Sequence, residues 1–306
     1  GREQQLARQS IKIASIVGIV ASLLAIHTGH SSAVKVAEVQ PMKLAAMEGL
    51  YDGGNGVGLT MVAAINPFSQ PDYAKGGEAP LRIAMPNGLS LLATSTLDGY
   101  VPGVNDILNG YTRSDGKREL SAEEKMLRGR NAITTLAEYR KLKAADANDK
   151  RLPQLARQLQ KDMPYFGYGY IKDCAELVPY IPINFYAFRV MVGVGMLLLL
   201  FFLVIGHVAW RQDITKRGRW LWMAALLMFP LAYIASEAGW IVAELGRQPW
   251  AIQDMLPTVA AVSDLKSGSV ALTFFIFLIL FTLLLIAEIR IMCRVIKNYK
   301  SQTVNI

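Results

Sequence analysis

Residues 197–205 read Leu-Leu-Leu-Leu-Phe-Phe-Leu-Val-Ile, a run in which no side chain carries a polar atom. The run lies inside a longer apolar block, Phe188–Trp210. A helix needs about 20 apolar residues to cross a bilayer core of roughly 30 Å, and the block meets that length. A helix buried in a soluble core rarely has more than roughly 14 such residues, so the block favours a membrane span.

Three further apolar blocks have the same character. Trp220–Val242 and Gly268–Ile289 have full spanning length, whereas Ile11–His27 is shorter and richer in alanine and glycine. A secretory signal is a second alternative to a membrane span, but such a signal would be followed by a cleavage site of small residues. The apolar content of 52% over 306 residues is also high for a soluble domain. We predict an all-α integral membrane protein, with four transmembrane helices and a large extracytoplasmic loop domain between the first and second.

Basic residues predict the orientation of these spans. They are concentrated at the start of the chain, in the tail and in one short link, which holds Arg211, Lys216, Arg217 and Arg219 against Asp213 alone. The positive-inside rule places both ends and this link in the cytoplasm, so we predict a multi-pass protein of the inner (cytoplasmic) membrane. The net charge of +8 follows from this bias, so it gives no reason to expect nucleic acid as a partner.

The predicted organisation has seven parts. They are the cytoplasmic start with the first helix (1–30), the extracytoplasmic loop (31–184), the second helix (185–210), the cytoplasmic link (211–219), the third helix (220–245), an extracytoplasmic link (246–267) and the fourth helix with the tail (268–306). Within the long loop, Ser121-Ala-Glu-Glu124 is a capping box and predicts a helix start. Tyr51–Pro102 is rich in Gly, Pro, Ser and Asn, which predicts irregular structure.

One short run in the loop combines charge with apolar neighbours: Gln40-Pro-Met-Lys43-Leu-Ala-Ala-Met-Glu48-Gly-Leu. Lys43 and Glu48 are five residues apart, and both could face a pocket at the level of the lipid. A base beside a cation suits an amphipathic substrate that releases protons, such as a quinol. The alternative is an exposed lysine and glutamate on an interfacial helix, and the spacing does not decide between them.

The third span ends in the most informative stretch, Ile234-Ala-Ser-Glu-Ala-Gly-Trp-Ile-Val-Ala-Glu-Leu-Gly-Arg-Gln-Pro-Trp250. Its polar and aromatic residues are spaced three, four and three apart: Glu237, Trp240, Glu244 and Arg247. At about 100° per residue, this spacing predicts one stripe along a helix. Carboxylates at membrane depth are costly and mark ion, proton or cofactor sites. A buried pair that only fastens helices would explain Glu244 with Arg247, but not Glu237 in register with both.

The second span opens with Phe188-Arg-Val-Met-Val-Gly-Val-Gly195. Its glycines leave room for a flat group, and the thioether of Met191 is a possible axial ligand of low-spin haem iron. Arg189 could hold an anionic propionate through a charge-assisted contact. Ordinary packing of a lipid span explains the same residues without a cofactor, so both interpretations stay open on the residues alone.

Taken in order, these stretches resemble subunit I of the cytochrome bd quinol oxidases, over the whole chain. Gly246-Arg-Gln-Pro-Trp250 after Glu237-Ala-Gly-Trp240 is similar to that family's signature. The stretch from Phe188 to Met191 resembles the segment with the methionine ligand of haem b558. Lys43-Leu-Ala-Ala-Met-Glu48 resembles the start of the quinol-binding loop, here in its extended form.

The resemblance implies roles in binding haem. Met191 would be an axial ligand of haem b558, and Glu244 an axial ligand of a high-spin haem, b595. Arg189 and Arg247 would lie near haem propionates, and Trp240 would pack between cofactors.

The resemblance also implies the reaction. A respiratory terminal oxidase of this family oxidises membrane quinol at the extracytoplasmic side and reduces dioxygen to water through haems b558, b595 and d. Protons are released outside and consumed from inside, so charge is separated without a pump. Lys43 and Glu48 would bind and deprotonate the quinol, and Glu237 would line the interior beside the haems.

The family's first five helices, with the histidine opposite Met191, have no counterpart in this sequence. The resemblance therefore implies activity only in a complete assembly, with the N-terminal half of the subunit (the same polypeptide or a companion chain), subunit II and a small accessory membrane subunit. The alternative is a non-catalytic membrane scaffold or a transporter-like protein, in which Glu237 and Glu244 form a proton relay.

Overall fold

The computed structural model describes residues 2–75, 81–113, 115–146, 148–211 and 219–304, and this part of the chain is mostly helical. The described residues up to Ala261 form one compact unit, and those from Val262 onward form a second one. Three charged residues of the predicted basic link, Asp213, Lys216 and Arg217, lie outside the described residues.

Four helices of the described residues are long and apolar enough to cross a membrane. They are α1 (Arg2–Val39), α7 (Ile181–Arg211) and α8 (Arg219–Leu245) in the first unit, and α9 (Ser267–Val304) in the second. Each of them contains one of the predicted apolar blocks and extends beyond it at both ends. The helices are longer than the blocks because polar residues that suit a helix follow the apolar ones.

α1 continues past residue 30, where the sequence pattern places the end of the first part. Residues 31–39 contain no proline or glycine that would interrupt the helix. α1 ends at Val39 because Gln40 precedes Pro41, and a proline disfavours helical backbone in the residue before it. Residues 40–180, called the connecting segment below, separate α1 from α7.

α7 packs against both α1 and α8, and small residues permit the close approach. A side-chain carbon added at Gly206 of α7 would lie 3.1 Å from Oγ of Ser15, which is 1% exposed on α1. Arg8 joins the same two helices, since its Nε donates to the carbonyl oxygen of Ala209 at 2.8 Å.

The connecting segment alternates short helices with short antiparallel ladders. Its helices are α2 (Pro41–Glu48), α3 (Gly88–Thr94), α4 (Val104–Asn109), α5 (Ala122–Ala145) and α6 (Leu152–Asp162), with 3₁₀ turns at Tyr73–Lys75, Met163–Tyr170 and Cys174–Leu177. Its strands pair as β1 (Gly54–Asn55) with β4 (Tyr100–Val101), β2 (Leu59–Ala63) with β3 (Arg82–Met85), and β5 (Tyr111–Thr112) with β6 (Arg118–Glu119). After α8, β7 (Trp250–Ile252) pairs with β8 (Leu256–Pro257).

These ladders correct the prediction of an all-α fold to a mostly helical one. They arise where glycine, proline and asparagine break helices and favour turns, so the chain reverses and pairs with itself. The predicted capping box is confirmed at the start of α5. Oγ of Ser121 accepts from the amide of Glu124 at 3.2 Å, and Oε2 of Glu124 accepts from the amide of Ser121 at 2.9 Å.

Two apolar clusters connect the connecting segment to the long helices. One combines Leu44 and Met47 of α2 with Ala238 and Val242 of α8. The other combines residues of α5 and of the 3₁₀ turn Met163–Tyr170 with Trp250, just after α8. The first cluster places α2 beside the membrane-length helices, where the predicted site residues lie.

Candidate functional site

α2 is a short buried helix with clear start and stop signals. Pro41 lies in its first turn, where the missing amide hydrogen costs no hydrogen bond. Gly49 ends it in the left-handed conformation, with φ of 62°, which glycine adopts without strain. Leu44 and Met47 are at most 5% exposed. Because these apolar side chains are buried, α2 has one orientation against its neighbours. That orientation determines the directions in which Lys43 and Glu48 point.

Lys43 and Glu48 do not share a pocket, which corrects the prediction that both face one site. Five residues along an α-helix correspond to about 500°, so the two side chains point about 140° apart. Glu48 lies against α7, whereas Lys43 lies against the end of α8. α2 therefore connects two separate polar clusters.

The first cluster is an ion pair between Glu48 and Arg189 of α7. Oε2 of Glu48 accepts from Nη2 of Arg189 at 2.9 Å, and their side chains are 1% and 15% exposed. Arg189 also donates to the backbone carbonyl oxygens of Met47 at 2.7 Å, Thr60 at 2.7 Å and Phe185 at 3.1 Å. Its Nε finds no hydrogen-bond partner among the described residues. Most N–H donors of Arg189 thus bind acceptors on α2 and β2, and its Nε is the donor that remains for another group.

The carboxyl group of Glu48 is poised to exchange a proton. Burial raises the pKa of Glu48 to about 7, against the opposing effects of Arg189 and, to a smaller extent, Arg82. Its Oε1 has no hydrogen-bond partner within the described part of the chain. A group with a pKa near neutrality can accept and release protons under physiological conditions.

The second cluster joins Lys43 to the end of α8. Nζ of Lys43 donates to the carbonyl oxygen of Ala243 at 3.3 Å, and its stem covers Gly246. Burial lowers the pKa of Lys43, and Arg247 lowers it further, whereas Glu244 raises it. Lys43 is therefore electrostatically connected to both charged residues at this helix end.

Replacing Gly246 by alanine is expected to destabilise the contact between α2 and α8. The added carbon would lie 2.6 Å from the carbonyl oxygen of Val242 and 3.0 Å from Cγ of Lys43, so a neighbour must shift. Overpacking of this kind costs about 1–3 kcal/mol, which thermal unfolding would detect as a lower Tm. The control is Gly29→Ala in α1, where no described atom lies within 4 Å of the added carbon. Equal Tm values for the two variants would contradict the close packing of α2 against Gly246.

Glu244 and Arg247 form an ion pair, with 2.6 Å between Oε2 and Nη2. α8 ends at Leu245, so Arg247 lies in the turn beyond the helix and the predicted stripe is shorter by one residue. The two side chains are 42% and 36% exposed, and an exposed pair contributes little to stability. Nε of Arg247 is buried and unpartnered among the described residues, as is Nε of Arg189.

The rest of the stripe, Glu237 and Trp240, lies outside the packed core. Ala238 and Val242, which pack in the core, are each 6% exposed, whereas Trp240 is 62% exposed. Glu237 lies at one edge, where it lines an apolar groove of about 520 Å³ between α7 and α8. Lipid cannot solvate a carboxylate, so this face of a spanning helix requires a polar partner.

Met191 is a thioether donor on α7, beside α8. It is half-buried on α7, and a carbon added at Gly239 of α8 would lie 3.0 Å from its sulfur. At Gly193 and Gly195, no described atom lies within 4 Å of an added carbon, so a flat group can approach the helix. A thioether, glycines without a close neighbour and a buried, unpartnered arginine Nε are the kinds of group that contact the iron, ring and propionates of a haem.

Thr60 and Arg82 complete the surroundings of Glu48, and no sequence pattern points to them. Thr60 is 5% exposed, and its hydroxyl accepts from Nε of Arg82 at 3.0 Å. The pairing of β2 with β3 brings these two residues to α2. The hydrogen bond from Arg189 to Thr60 joins residues 129 positions apart, so local sequence does not reveal it. Burial along Leu59–Ala63 does not alternate between the two faces of the strand, so the sequence has no period of two that could have indicated these positions.

Comparison with known proteins gives consistent matches. A family model described as cytochrome bd terminal oxidase subunit I matches residues 2–300. The chain is 35% identical to the cytochrome bd-II ubiquinol oxidase subunit 1 of Escherichia coli (strain K12), over 95% of this chain and 55% of that protein. It is 28% identical to the cytochrome bd ubiquinol oxidase subunit 1 of Bacillus subtilis (strain 168), over 92% and 47%. The chain spans about half the length of the curated relatives that it matches.

One solved structure, that of bd oxidase from Geobacillus thermodenitrificans, has a similar fold. The TM-score is 0.59 and the identity 22%, over 94% of this chain and 49% of that chain. At this identity the likeness concerns the fold alone, and it agrees with the mostly helical architecture described above.

Proposed function

The chain belongs to the cytochrome bd terminal oxidase subunit I family, and from this premise we propose that it works in a respiratory terminal oxidase. The assembly would oxidise membrane quinol and reduce dioxygen to water. The four apolar helices and the family make the chain a multi-pass bacterial membrane protein. In the proposal both ends are cytoplasmic, and the connecting segment is extracytoplasmic.

The ion pair between Glu48 and Arg189 carries the proposal. It joins α2, which holds a carboxyl with a pKa of about 7, to α7 two residues before the thioether of Met191. A quinol becomes much more acidic as it loses an electron, so oxidation proceeds best where a base lies close to an electron acceptor. In the proposal, Glu48 is the base, Met191 is a ligand of the haem that accepts the electron, and Arg189 joins the two elements that hold them.

The proposal assigns two of the residues as haem ligands. Met191 would bind haem b558, and Glu244 would bind the high-spin haem b595, while haem d completes the oxygen-reducing site. When bound, the haems supply the one-electron carriers between quinol and dioxygen. The unpartnered Nε atoms of Arg189 and Arg247 are the donors for propionates. Trp240, which is largely exposed on α8, would pack between the cofactors.

Lys43, Glu48 and Glu237 would handle the protons and the substrate. Because the two side chains leave α2 in different directions, Lys43 would act at the end of α8, where its charge would help to bind the quinol. Glu48 would act beside α7, where it would receive the proton and pass it toward the extracytoplasmic side. Glu237, at the edge of the stripe on α8, would line the interior beside the haems. Release of protons on one side and their consumption on the other separates charge without a pump. The assembly would include the N-terminal half of the subunit, subunit II and a small accessory membrane subunit.

Difference spectra of the purified assembly test this function. Bands of b-type and d-type haem, together with oxygen consumption driven by quinol, are expected. An assembly without haem bands would exclude the oxidase and leave the alternative, a membrane scaffold or a proton relay through Glu237 and Glu244.

Lys43→Ala and Glu48→Ala are each expected to impair quinol oxidation while the haem content stays normal. A positioned general base contributes about 100-fold or more to a rate, so the loss at Glu48 should be of that order. The matched controls are Lys35→Ala and Glu38→Ala, since that ion pair is 72% and 53% exposed at the end of α1. If Lys43→Ala or Glu48→Ala instead lost haem, those residues would have a structural role.

A further inference from the structure

A small, partly open cavity lies beside Glu48, and Lys43 is not among the residues that line it. It has a volume of about 100 Å³, and its polar lining comes from Glu48, Tyr51, Asp52, Thr60 and Arg82. Small-molecule sites usually measure about 300–1,000 Å³, so a quinol head group does not fit. A water molecule needs roughly 10–15 Å³ and two to four polar partners, so the cavity has room for several waters.

The cavity connects a buried group to an exposed one. Glu48 is 2% exposed and lines the cavity. Its Oε2 is bound to Arg189, whereas its Oε1 has no hydrogen-bond partner among the described residues. Asp52 and Arg82, which also line it, are exposed. An unpartnered carboxylate oxygen at one end and charged, solvated groups at the other are the two ends of a proton path.

We propose that this cavity is the proton exit of Glu48, in which water carries the proton from Oε1 to the surface beside Asp52 and Arg82. The inference rests on the proposed function. Oxidation of a quinol to a quinone releases two electrons, which the haems of the complete assembly would accept, and two protons. Each proton would leave in turn: an O–H bond of the quinol breaks, the carboxylate of Glu48 gains the proton, and the carboxyl group releases it to a cavity water and on to bulk solvent. The carboxylate is thereby regenerated before the next proton arrives.

Ala63→Leu tests the path by filling it. Ala63 is 6% exposed and lines the cavity, so a larger side chain would displace the water. Quinol-driven oxygen consumption should fall about ten-fold or more, and its solvent deuterium isotope effect should rise, because proton exit becomes rate-limiting. Oxygen consumption driven by a one-electron donor that releases no proton should not change. The control is Val62→Leu, one residue away on β2 and 54% exposed.

Wild-type quinol oxidation and isotope effect in haem-loaded Ala63→Leu would overturn the proton exit and leave the oxidase function intact. A wild-type assembly that does not oxidise quinol would instead overturn the proposed function. The two failures are therefore distinguishable.

A second measurement does not depend on filling the cavity. The charged and titratable groups around Glu48 are Arg189 on α7, Arg82 on β3, and Tyr51 and Asp52 in the loop after α2. Arg82→Gln removes a positive charge that favours the carboxylate, so the infrared band of protonated Glu48 should persist to higher pH. The band is identified by its loss in Glu48→Gln, and Arg118→Gln, at a 72% exposed arginine, is the control. An unchanged titration in Arg82→Gln would contradict the placement of Arg82 at the mouth of this path.

Discussion

Replacing Met191 by leucine is expected to abolish the low-spin haem signal of the assembled protein while its high-spin haem bands remain. Leucine and methionine have similar volumes, and such exchanges usually cost less than about 1.5 kcal/mol. The packing against Gly239 should therefore survive. The thioether sulfur is lost, and an iron without its sixth strong ligand becomes high-spin.

The measurement is a reduced-minus-oxidised spectrum of the purified assembly, with total haem determined separately. The matched control is Met196→Leu, five residues further along α7, where the side chain is 54% exposed. The control should retain the low-spin bands at full intensity. A low-spin spectrum that survives unchanged in Met191→Leu would exclude this residue as the ligand.

The long helices and the start of α5 are the features that local sequence determines most directly. An apolar run of spanning length has few alternatives to a helix, because backbone groups in lipid must be satisfied within the segment. The capping box at Ser121 is equally local, since both of its hydrogen bonds lie within four residues. The pair between Glu244 and Arg247 also follows from spacing, although the helix ends before Arg247.

The contacts of Glu48 could not be predicted in the same way. Its partner Arg189 is 141 residues away, and each alone has an ordinary explanation on its own helix. The irregular stretch between them forms β2 and β3, which carry Thr60 and Arg82 to α2. The sequence suggested a function for Glu48 from its distance to Lys43, yet helical geometry directs these side chains to different neighbours.

Replacing Arg189 by leucine is expected to destabilise the assembled protein. The loss of stability relative to the wild type should grow as the pH rises. The variant removes the cation that is paired with buried Glu48 and leaves three backbone carbonyl oxygens without this donor. Removal of one partner of a buried ion pair costs about 3–5 kcal/mol when the remaining charge stays ionised.

The pH dependence follows from the pKa of Glu48. Burial raises this pKa from its ordinary value of 4.5 to about 7 in the folded protein. Its contribution to stability is therefore complete below 4.5 and is lost as the pH rises through about 7. Without Arg189 the folded-state pKa rises further, so the loss continues to higher pH. The lost bonds to the three carbonyl oxygens lower the Tm of the variant at every pH, so the difference in Tm from the wild type should be present at about pH 5 and larger at about pH 9.

Glu48→Gln in the Arg189→Leu background should remove this pH dependence, because an amide does not exchange a proton in this range. The matched control is Arg113→Leu, whose partner Glu119 lies at 3.3 Å, with side chains 39% and 25% exposed. A pair of that exposure contributes at most about 1 kcal/mol, so its loss should change the Tm little at either pH. Thermal unfolding of the wild type, both single variants and the double variant provides the comparison. A deficit in Arg189→Leu that is equal at both pH values would mean that Glu48 is neutral beside Arg189, and the proposed base would then be absent.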